Sequence, residues 1–364
     1  MRILCLVTDA FGGHGGISKF NRDLLTSLCS HPGVAEVVAV PRLLPRAPGA
    51  LPPRLTYVTS GLNGKVSYVL ALLRILLRRD RFDLVLCGHI NLTPLSFLCR
   101  MANGAPLALV VHGIDAWQPT RSRLTNYLVG RIDALVSVSE YTVKRFRAWS
   151  PTGKARFYIQ PNSVDLRLFA PAPRDPDLVQ RYGLGDKVVL MTLGRLDSKA
   201  RAKGFDEVLE VLPALRREIP NLVYLIAGDG RDRGRLEQKV ASLGVEDLVV
   251  FTGMVAEDEK AAHYCLADAY VMPSGGEGFG IVLLEAMACG IPTVASKTDG
   301  SREALRDGLL GTLVDPGNPR EIIEAVKHAL KQEPRVPEGL DYFSSTNFQT
   351  RVHRLFDAIV QGAR

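Results

Sequence analysis

The chain has 364 residues, 46% of them apolar and 23% charged, enough for two ordinary domains and unlike a disordered or fibrous protein. No run of about 18 or more apolar residues occurs, which argues against a transmembrane helix. The net charge of +7 is unevenly spread: residues 1–170 carry 21 Lys/Arg against 9 Asp/Glu and residues 171–364 carry 24 against 29, so only the first half suits an anionic partner.

The opening residues, Met1-Arg2-Ile3-Leu4-Cys5-Leu6-Val7, are too short an apolar run for a secretory signal and lack a cleavage site. They read as a first buried strand. Further short apolar runs follow at 37–40, 84–87, 107–111, 134–138 and 157–159, each separated by a helix-like segment. After a break they resume at 188–193, 222–227, 248–251, 269–272, 293–296 and 312–314. Continuous apolar strands alternating with helices signal parallel sheets covered on both faces. Two such sets predict an α/β chain of two doubly wound, Rossmann-like domains facing a central cleft. The break is legible: Pro161-Asn162-Ser163-Val164-Asp165 runs into a proline-rich connector at 169–176, which suits neither a helix interior nor a central strand. The expected domains are therefore 1–168 and 169–345. Residues 346–364 form a final helix, with Phe348, Val352, Leu355, Phe356 and Ile359 at helical spacing, free to return to the first domain.

The six cysteines, at 5, 29, 87, 99, 265 and 289, are scattered and show no CxxC or Cys/His ligand spacing. Neither a disulfide framework nor a zinc site is expected; buried, reduced thiols in a cytoplasmic protein are.

In such folds ligands sit beyond the carboxyl ends of the strands, so those turns carry the chemistry. After the first strand comes Gly12-Gly13-His14-Gly15-Gly16-Ile17, leading into a helix over 18–28. Its glycines allow backbone to approach an anion, but the spacing is neither GxGxxG nor a P-loop. After 107–111 comes His112-Gly113-Ile114-Asp115, which places a histidine at a strand end; a structural histidine would look the same. His14 and His89 also lie in or near strand-end turns. Ser139 and Glu140 read as a helix cap and its first turn. Gly194-Arg195-Leu196 and, further on, Lys203-Gly204-Phe205 put a cation at each end of one loop, able to clamp a diphosphate, while Lys199 and Arg201 read as solvated. Gly228-Asp229-Gly230 and Thr252-Gly253-Met254 are two more glycine-containing strand ends. The fullest turn lies between the strand at 269–272 and a helix over 281–288: glycines at 275, 276, 278 and 280, with Glu277 in the turn and Glu285 one helical turn later. That is a phosphate-cradling arrangement with two extra acceptors for hydroxyl groups. Together these turns call for a nucleoside diphosphate flanked by hydroxyls: a nucleotide sugar.

The combination resembles the retaining GT-B glycosyltransferases of family 4, relatives of glycogen synthase and the phosphatidylinositol mannosyltransferases. The resemblance rests on Gly15-Gly16, His112-Gly113, Pro161 to Asp165, Gly194-Arg195-Leu196, Lys203-Gly204, Gly228-Asp229-Gly230 and the E-x7-E run from Glu277 to Glu285, followed by Gly290-Ile291-Pro292. It implies that Glu285 binds the ribose, and that Arg195, Lys203 and the helix start bind the diphosphate through Gly278, Phe279, Gly280, Ile281 and Val282. Glu277 and His112 would hold the transferred sugar, Gly15 and Gly16 would let the first loop close over the phosphates and acceptor, and Met254 would line the base. The resemblance also implies transfer with retention of configuration, the leaving phosphate taking the acceptor proton, and no metal or cofactor. The sequence departs from the family at Gly113, where many members carry Asp, at Ser163 in place of the commoner glycine, and in the longer Arg195–Lys203 spacing.

The acceptor side is less family-like. Residues 64–81, GKVSYVLALLRILLRRDR, form a basic amphipathic segment compatible with an anionic membrane surface or with packing against the sheet. The expectation is a cytoplasmic hexosyltransferase, peripheral to the inner face of the membrane, acting on a sugar or lipid-linked sugar in polysaccharide or glycolipid assembly. Two alternatives are a nucleotide-sugar epimerase of the same fold and a basic nucleic-acid-binding protein, though no nucleic-acid-binding module is recognisable.

Overall fold

The computed structural model describes residues 1–78, 81–197 and 203–362. Arg79 of the basic segment, Lys199, Arg201 and Ala363 lie outside the described residues. The chain divides into two compact units, unit 1 being Met1–Ser163 with Ser345–Arg364, and unit 2 being Val164–Ser344.

Unit 1 is built on seven strands: β1 (Arg2–Val7), β2 (Glu36–Pro41), β3 (Leu55–Tyr57), β4 (Leu84–Cys87), β5 (Leu107–Val111), β6 (Ala134–Ser137) and β7 (Arg156–Ile159). They lie in the order β3-β2-β1-β4-β5-β6-β7, every pairing parallel. The central strands are apolar on both faces because helices cover both: α1 (Gly15–Ser30), α2 (Lys65–Leu77), α3 (Thr93–Asn103), α4 (Arg123–Leu128) and α5 (Glu140–Arg147). The terminal helix, Ser345–Gln361, belongs to the same unit and packs on α1. Phe348, Val352, Leu355, Phe356 and Ile359 form its buried stripe, and Phe348 meets Phe20 edge to face at 5.7 Å.

Unit 2 has six strands: β8 (Val188–Leu193), β9 (Leu222–Ala227), β10 (Val249–Gly253), β11 (Ala269–Met272), β12 (Thr293–Ser296) and β13 (Thr312–Val314). Their order is β10-β9-β8-β11-β12-β13, again all parallel. The helices are α6 (Pro176–Tyr182), α7 (Phe205–Glu218), α8 (Arg233–Leu243), α9 (Lys260–Tyr264), α10 (Ile281–Ala288), α11 (Ser301–Ala304) and α12 (Pro319–Ala329). Leu190, Val208, Leu212, Ile226, Val271 and Val326 lie in one core between sheet and helices.

Both sheets contain the strand-order reversal at which doubly wound folds open a crevice. In unit 1 it lies between β1 and β4, because β1 is flanked by β2 on one side and β4 on the other. In unit 2 it lies between β8 and β11. The turns after these four strands and their neighbours are therefore where candidate chemistry is sought.

Three local expectations need correction. The edge strand β3 escaped the apolar pattern because Leu55-Thr56-Tyr57 is short and half exposed. Helix α1 begins at Gly15, not Ser18, so Gly15 and Gly16 are its first two residues and not part of a free loop. Ser18 is buried inside α1, where its hydroxyl donates to Ala10 O at 2.8 Å and fixes the turn beneath the helix. Pro176 ends the connector by starting α6, with Asp175 accepting from the amides of Asp177 and Leu178 at 2.9 and 3.1 Å.

Candidate functional site

In unit 2 the turns after β8 and β11 are brought against each other. Gly204 has φ +83, and a Cβ there would lie 2.8 Å from Pro273, just beyond β11. Only glycine allows that approach, and it carries Lys203 to the β11 turn. The Lys203 ammonium consequently forms an ion pair with the Glu277 carboxylate across 74 residues of sequence, both side chains largely buried. An ammonium has three donors, so this pair leaves others for a phosphate oxygen.

The backbone of Glu277 is braced by a residue that the sequence did not single out. Asp299, in the turn after β12, is buried and accepts from Ser274 Oγ at 2.7 Å, from Glu277 N at 2.7 Å and from Ser301 N at 2.9 Å. Gly300 N donates to Glu277 O at 2.9 Å, so both backbone polar groups of Glu277 are held. Burial lifts the Asp299 carboxyl above its ordinary value, against the pull of these hydrogen bonds. The signal available in sequence was its place at a strand end, in Thr298-Asp299-Gly300.

Helix α10 starts directly after this turn, with Gly280 at its N-cap, no side-chain cap and no acid in its first turn. Its N-terminal amides and positive dipole end suit an anion. Gly278 lies in the turn, and Ile281 and Val282 open the helix. The ring of Phe279 is buried against Phe343 at 5.6 Å, so it is a packing residue and only its backbone is available to a ligand. Glu285, one turn along, is only 2% exposed and accepts from Tyr264 Oη at 2.8 Å. Tyr264, a second residue missed in sequence, is fully buried against Phe169 and Tyr270. Its phenol is pushed well up by burial and by the neighbouring Glu285 charge, so it stays a donor. Glu277 and Glu285 thus have different partners, a lysine and a tyrosine.

Two predicted residues stand apart from this cluster. The Arg195 side chain is 80% exposed and lies 3.2 Å from Asp197. Met254 is 82% exposed beyond β10. The glycines of Gly228-Asp229-Gly230 have a packing reason: a Cβ on Gly228 would lie 2.0 Å from Gly194 O. That turn supports the backbone around Arg195. Among the described residues no three His, Cys, Asp or Glu side chains group as a metal site requires.

Unit 1 gathers polar groups at its own reversal. His112, after β5, donates from Nε2 to Gly88 O at 3.0 Å, which leaves Nδ1 as an acceptor; that atom is buried and has no partner. Burial lowers the His112 pKa to about 4, so the ring is neutral near pH 7. Asp115 accepts from His112 N at 3.2 Å, and burial raises its carboxyl to about 6. Asp9, after β1, is also raised by burial, with His14 and His112 close enough to oppose the rise. Gly15 and Gly16 are exposed at the start of α1 beside this group. Ser139 caps α5 through Thr142 N at 3.1 Å, with Glu140 in the first turn, so both are structural.

Against known proteins, a family model described as "Glycosyltransferase Family 4" matches residues 14–168, and one described as "Glycosyl transferases group 1" matches residues 176–343. The chain is 36% identical over 252 residues to a GDP-mannose-dependent alpha-(1-6)-phosphatidylinositol monomannoside mannosyltransferase of Mycolicibacterium smegmatis, covering 65% of this chain and 64% of the relative. It is 37% identical over 194 residues to a D-inositol 3-phosphate glycosyltransferase of Geodermatophilus obscurus, covering 50% and 42%. These matches span less than two thirds of the relatives' lengths. Among solved structures, Anabaena HepE in complex with UDP and glucose superposes with a TM-score of 0.76 at 20% identity, over 98% of this chain and all of that one.

Proposed function

We propose that this chain, which belongs to glycosyltransferase family 4 and has the GT-B fold, transfers a hexose from a nucleotide-diphosphate sugar to a sugar or lipid-linked sugar acceptor. The observation that carries the reading is the Lys203–Glu277 pair at the start of α10, with Glu285 one turn beyond. A cation, a helix N-terminus and two separately held carboxylates match a diphosphate with hydroxyls on either side. Glu285 is assigned to the ribose, Lys203 and the α10 amides to the diphosphate, with Arg195 as a second, exposed cation. Glu277 is assigned to the transferred sugar. In unit 1 the unpartnered Nδ1 of His112 supplies a hydroxyl-binding acceptor.

Transfer is proposed to proceed with retention, the leaving phosphate oxygen taking the acceptor proton as its bond to the anomeric carbon breaks. Lys203 and the helix dipole stabilise the charge that develops on that phosphate, the part a metal plays elsewhere, so no metal is invoked. The mannosyltransferase relative's name favours GDP-mannose as donor and a phosphatidylinositol mannoside as acceptor.

The helical layer α2–α3–α4 supports a membrane-borne acceptor. Helix α2 buries Tyr68, Ala71, Leu72 and Ile75 and turns Val66, Leu70, Leu73 and Leu77 outward, Val66 being 73% and Leu77 78% exposed. Leu98 and Met101 on α3 and Leu124 and Tyr127 on α4 continue the exposed apolar surface. These three helices contain no Asp or Glu, and Lys65, Arg74 and Arg123 lie on them. An apolar surface edged with cations fits an anionic leaflet, so peripheral attachment at the inner face of the cytoplasmic membrane is part of the proposal. No described helix is long and apolar enough to cross a membrane.

The test is a thermal-shift screen of UDP, GDP, ADP and their sugars, then assay of released nucleoside diphosphate with phosphatidylinositol-mannoside acceptors and analysis of the product anomer. Selective stabilisation by one nucleotide and acceptor-dependent release are expected. An inverted product, or turnover abolished by chelator and restored by magnesium, would overturn the mechanism; nucleotide release with no acceptor dependence would overturn the transferase reading.

A further inference from the structure

Two of the six cysteines sit differently from the rest. Cys265 closes α9 and Cys289 closes α10, and these helices touch. Their thiols converge. Cys265 Sγ donates to Ala170 O at 3.7 Å, and the Ala170 backbone also lies beside the Cys289 thiol. Cys289 Sγ also lies 3.9 Å from Ala261 O, the oxygen that accepts Cys265 N at 3.1 Å. Each thiol thus donates to a backbone oxygen beside the other cysteine's helix end or cavity wall.

Access is unequal. Cys265 lines a cavity of about 450 Å³ formed with Ala170, Pro171, Pro173 and Ala261, whereas Cys289 does not. This cavity contains none of the residues assigned to the donor. The neighbouring Cys289 holds the Cys265 thiol down to about 7, and Cys289 itself is pushed up. Burial raises the other four, Cys29 to about 11 and Cys99 to about 12, with Cys5 and Cys87 also raised. A buried but cavity-lining thiol of lowered pKa beside a second thiol is the arrangement of a redox-sensitive pair.

We propose that Cys265 and Cys289 form a reversible dithiol–disulfide site, oxidised by peroxide, whose state controls nucleotide binding through Tyr264 and Glu285. The control half rests on the proposed role of Glu285. In the first step the Cys265 thiolate attacks a peroxide oxygen, the O–O bond breaks, a sulfenic acid forms, and the departing hydroxide takes up the proton that the thiol released and leaves as water. In the second the Cys289 sulfur attacks the sulfenic sulfur, its proton leaves with the hydroxyl as a second water, and the S–S bond closes. Two electrons pass from the two thiols to one hydrogen peroxide; a dithiol reductant reverses the change.

The coupling follows from chain geometry. Tyr264 immediately precedes Cys265 and donates to Glu285. Cys289 follows Glu285 by one helical turn, its N–H bonded to Glu285 O at 3.1 Å. An S–S bond is about 2 Å long, well inside thiol contact distance, so closing it draws the ends of α9 and α10 together. The Tyr264–Glu285 bond spans that gap and moves with it.

The experiment treats the full chain with hydrogen peroxide, maps linked peptides under non-reducing conditions, and titrates GDP and UDP before and after oxidation. A Cys265–Cys289 link reversed by dithiothreitol is expected, with nucleotide affinity lowered about tenfold or more, as for a weakened charged hydrogen bond. Cys289→Ser should form no link, should accumulate a dimedone-trapped sulfenic acid at Cys265, and should keep its reduced-state affinity; its melting temperature verifies the fold. No link, or a link between other cysteines, overturns the site. A link without any change in affinity overturns the control. Failure of the reduced protein to bind either nucleotide overturns the role of Glu285 and the control with it, while the peptide map still decides the site.

Discussion

Replacing Glu285 by Gln tests the donor assignment at its most buried point. Glutamine keeps the size of the side chain and an oxygen able to accept from Tyr264 Oη, the 2.8 Å bond that orders the residue. Folding should therefore be little changed. What is lost is the charge that two ribose hydroxyls would address. A hydrogen bond to a charged group contributes roughly 1.5–3 kcal/mol, so nucleotide affinity should fall about ten- to a hundredfold. Glu285→Ala is a poorer probe, because it strands the buried Tyr264 hydroxyl at roughly 1–3 kcal/mol of stability and confuses binding with folding. Tyr264→Phe separates positioning from contact: the carboxylate remains but loses its anchor, and affinity should fall by less than in Glu285→Gln. Calorimetric titration of GDP and UDP, with melting temperatures measured in parallel, gives both quantities. A Glu285→Gln protein that melts like the parent and binds nucleotide equally well would refute the reasoning and leave Glu285 a structural residue.

Lys203→Ala should weaken nucleotide binding by about ten- to a hundredfold, whereas Glu277→Gln should lower kcat more than it raises KM, because its proposed partner is the sugar that gains charge in the transition state; steady-state kinetics in donor concentration distinguish the two. In unit 1 two buried groups oppose each other with pH. Asp115 is raised to about 6, so its contribution to stability is full at low pH and lost as pH rises through that value; His112 is lowered to about 4, so its contribution is present above its ordinary 6.5 and lost as pH falls towards 4. Asp115→Asn removes the first and exposes the second, so urea midpoints of this variant should drop more steeply than the parent's between pH 6.5 and 4. Phe348→Ala, which empties the contact of the terminal helix with Phe20, should cost about 3–5 kcal/mol in unit 1, and a loss below about 1 kcal/mol by denaturant titration would contradict that packing.

Most of the sheet architecture was legible because buried parallel strands are apolar on both faces, and runs such as 107–111 and 222–227 have no other economical reading. The failures have local causes. Strand β3 is half exposed at a sheet edge, and the start of α1 is hidden by Gly15-Gly16, which a propensity reading treats as loop. Candidate residues could be named from sequence where they follow a strand, as at His112, Glu277 and Lys203. Their partners could not. Asp299 acts on a backbone amide 22 residues away and Tyr264 on a carboxylate 21 residues away, through contacts that exist only once α9, α10 and β12 are packed. Phe279, inside the motif, faces the core, which composition alone could not reveal.

Sheet order explains why Lys203 and Glu277 meet. With β8 between β9 and β11, the connections leaving β8 and β11 run to opposite sides of the sheet and open a crevice between their turns. A cation from one turn and a carboxylate from the other then share it. The carboxylate matters to selectivity as much as the cation. A site meant only for phosphate would gain by deleting Glu277, which partly neutralises Lys203 and repels any second anion. The pair is instead suited to a ligand that presents a phosphate to the lysine and hydroxyl donors to the glutamate. A nucleotide sugar does both, whereas a nucleic-acid backbone offers repeated phosphates and no polyol, so the same ion pair that weakens simple anion binding favours the sugar-nucleotide reading over the nucleic-acid one.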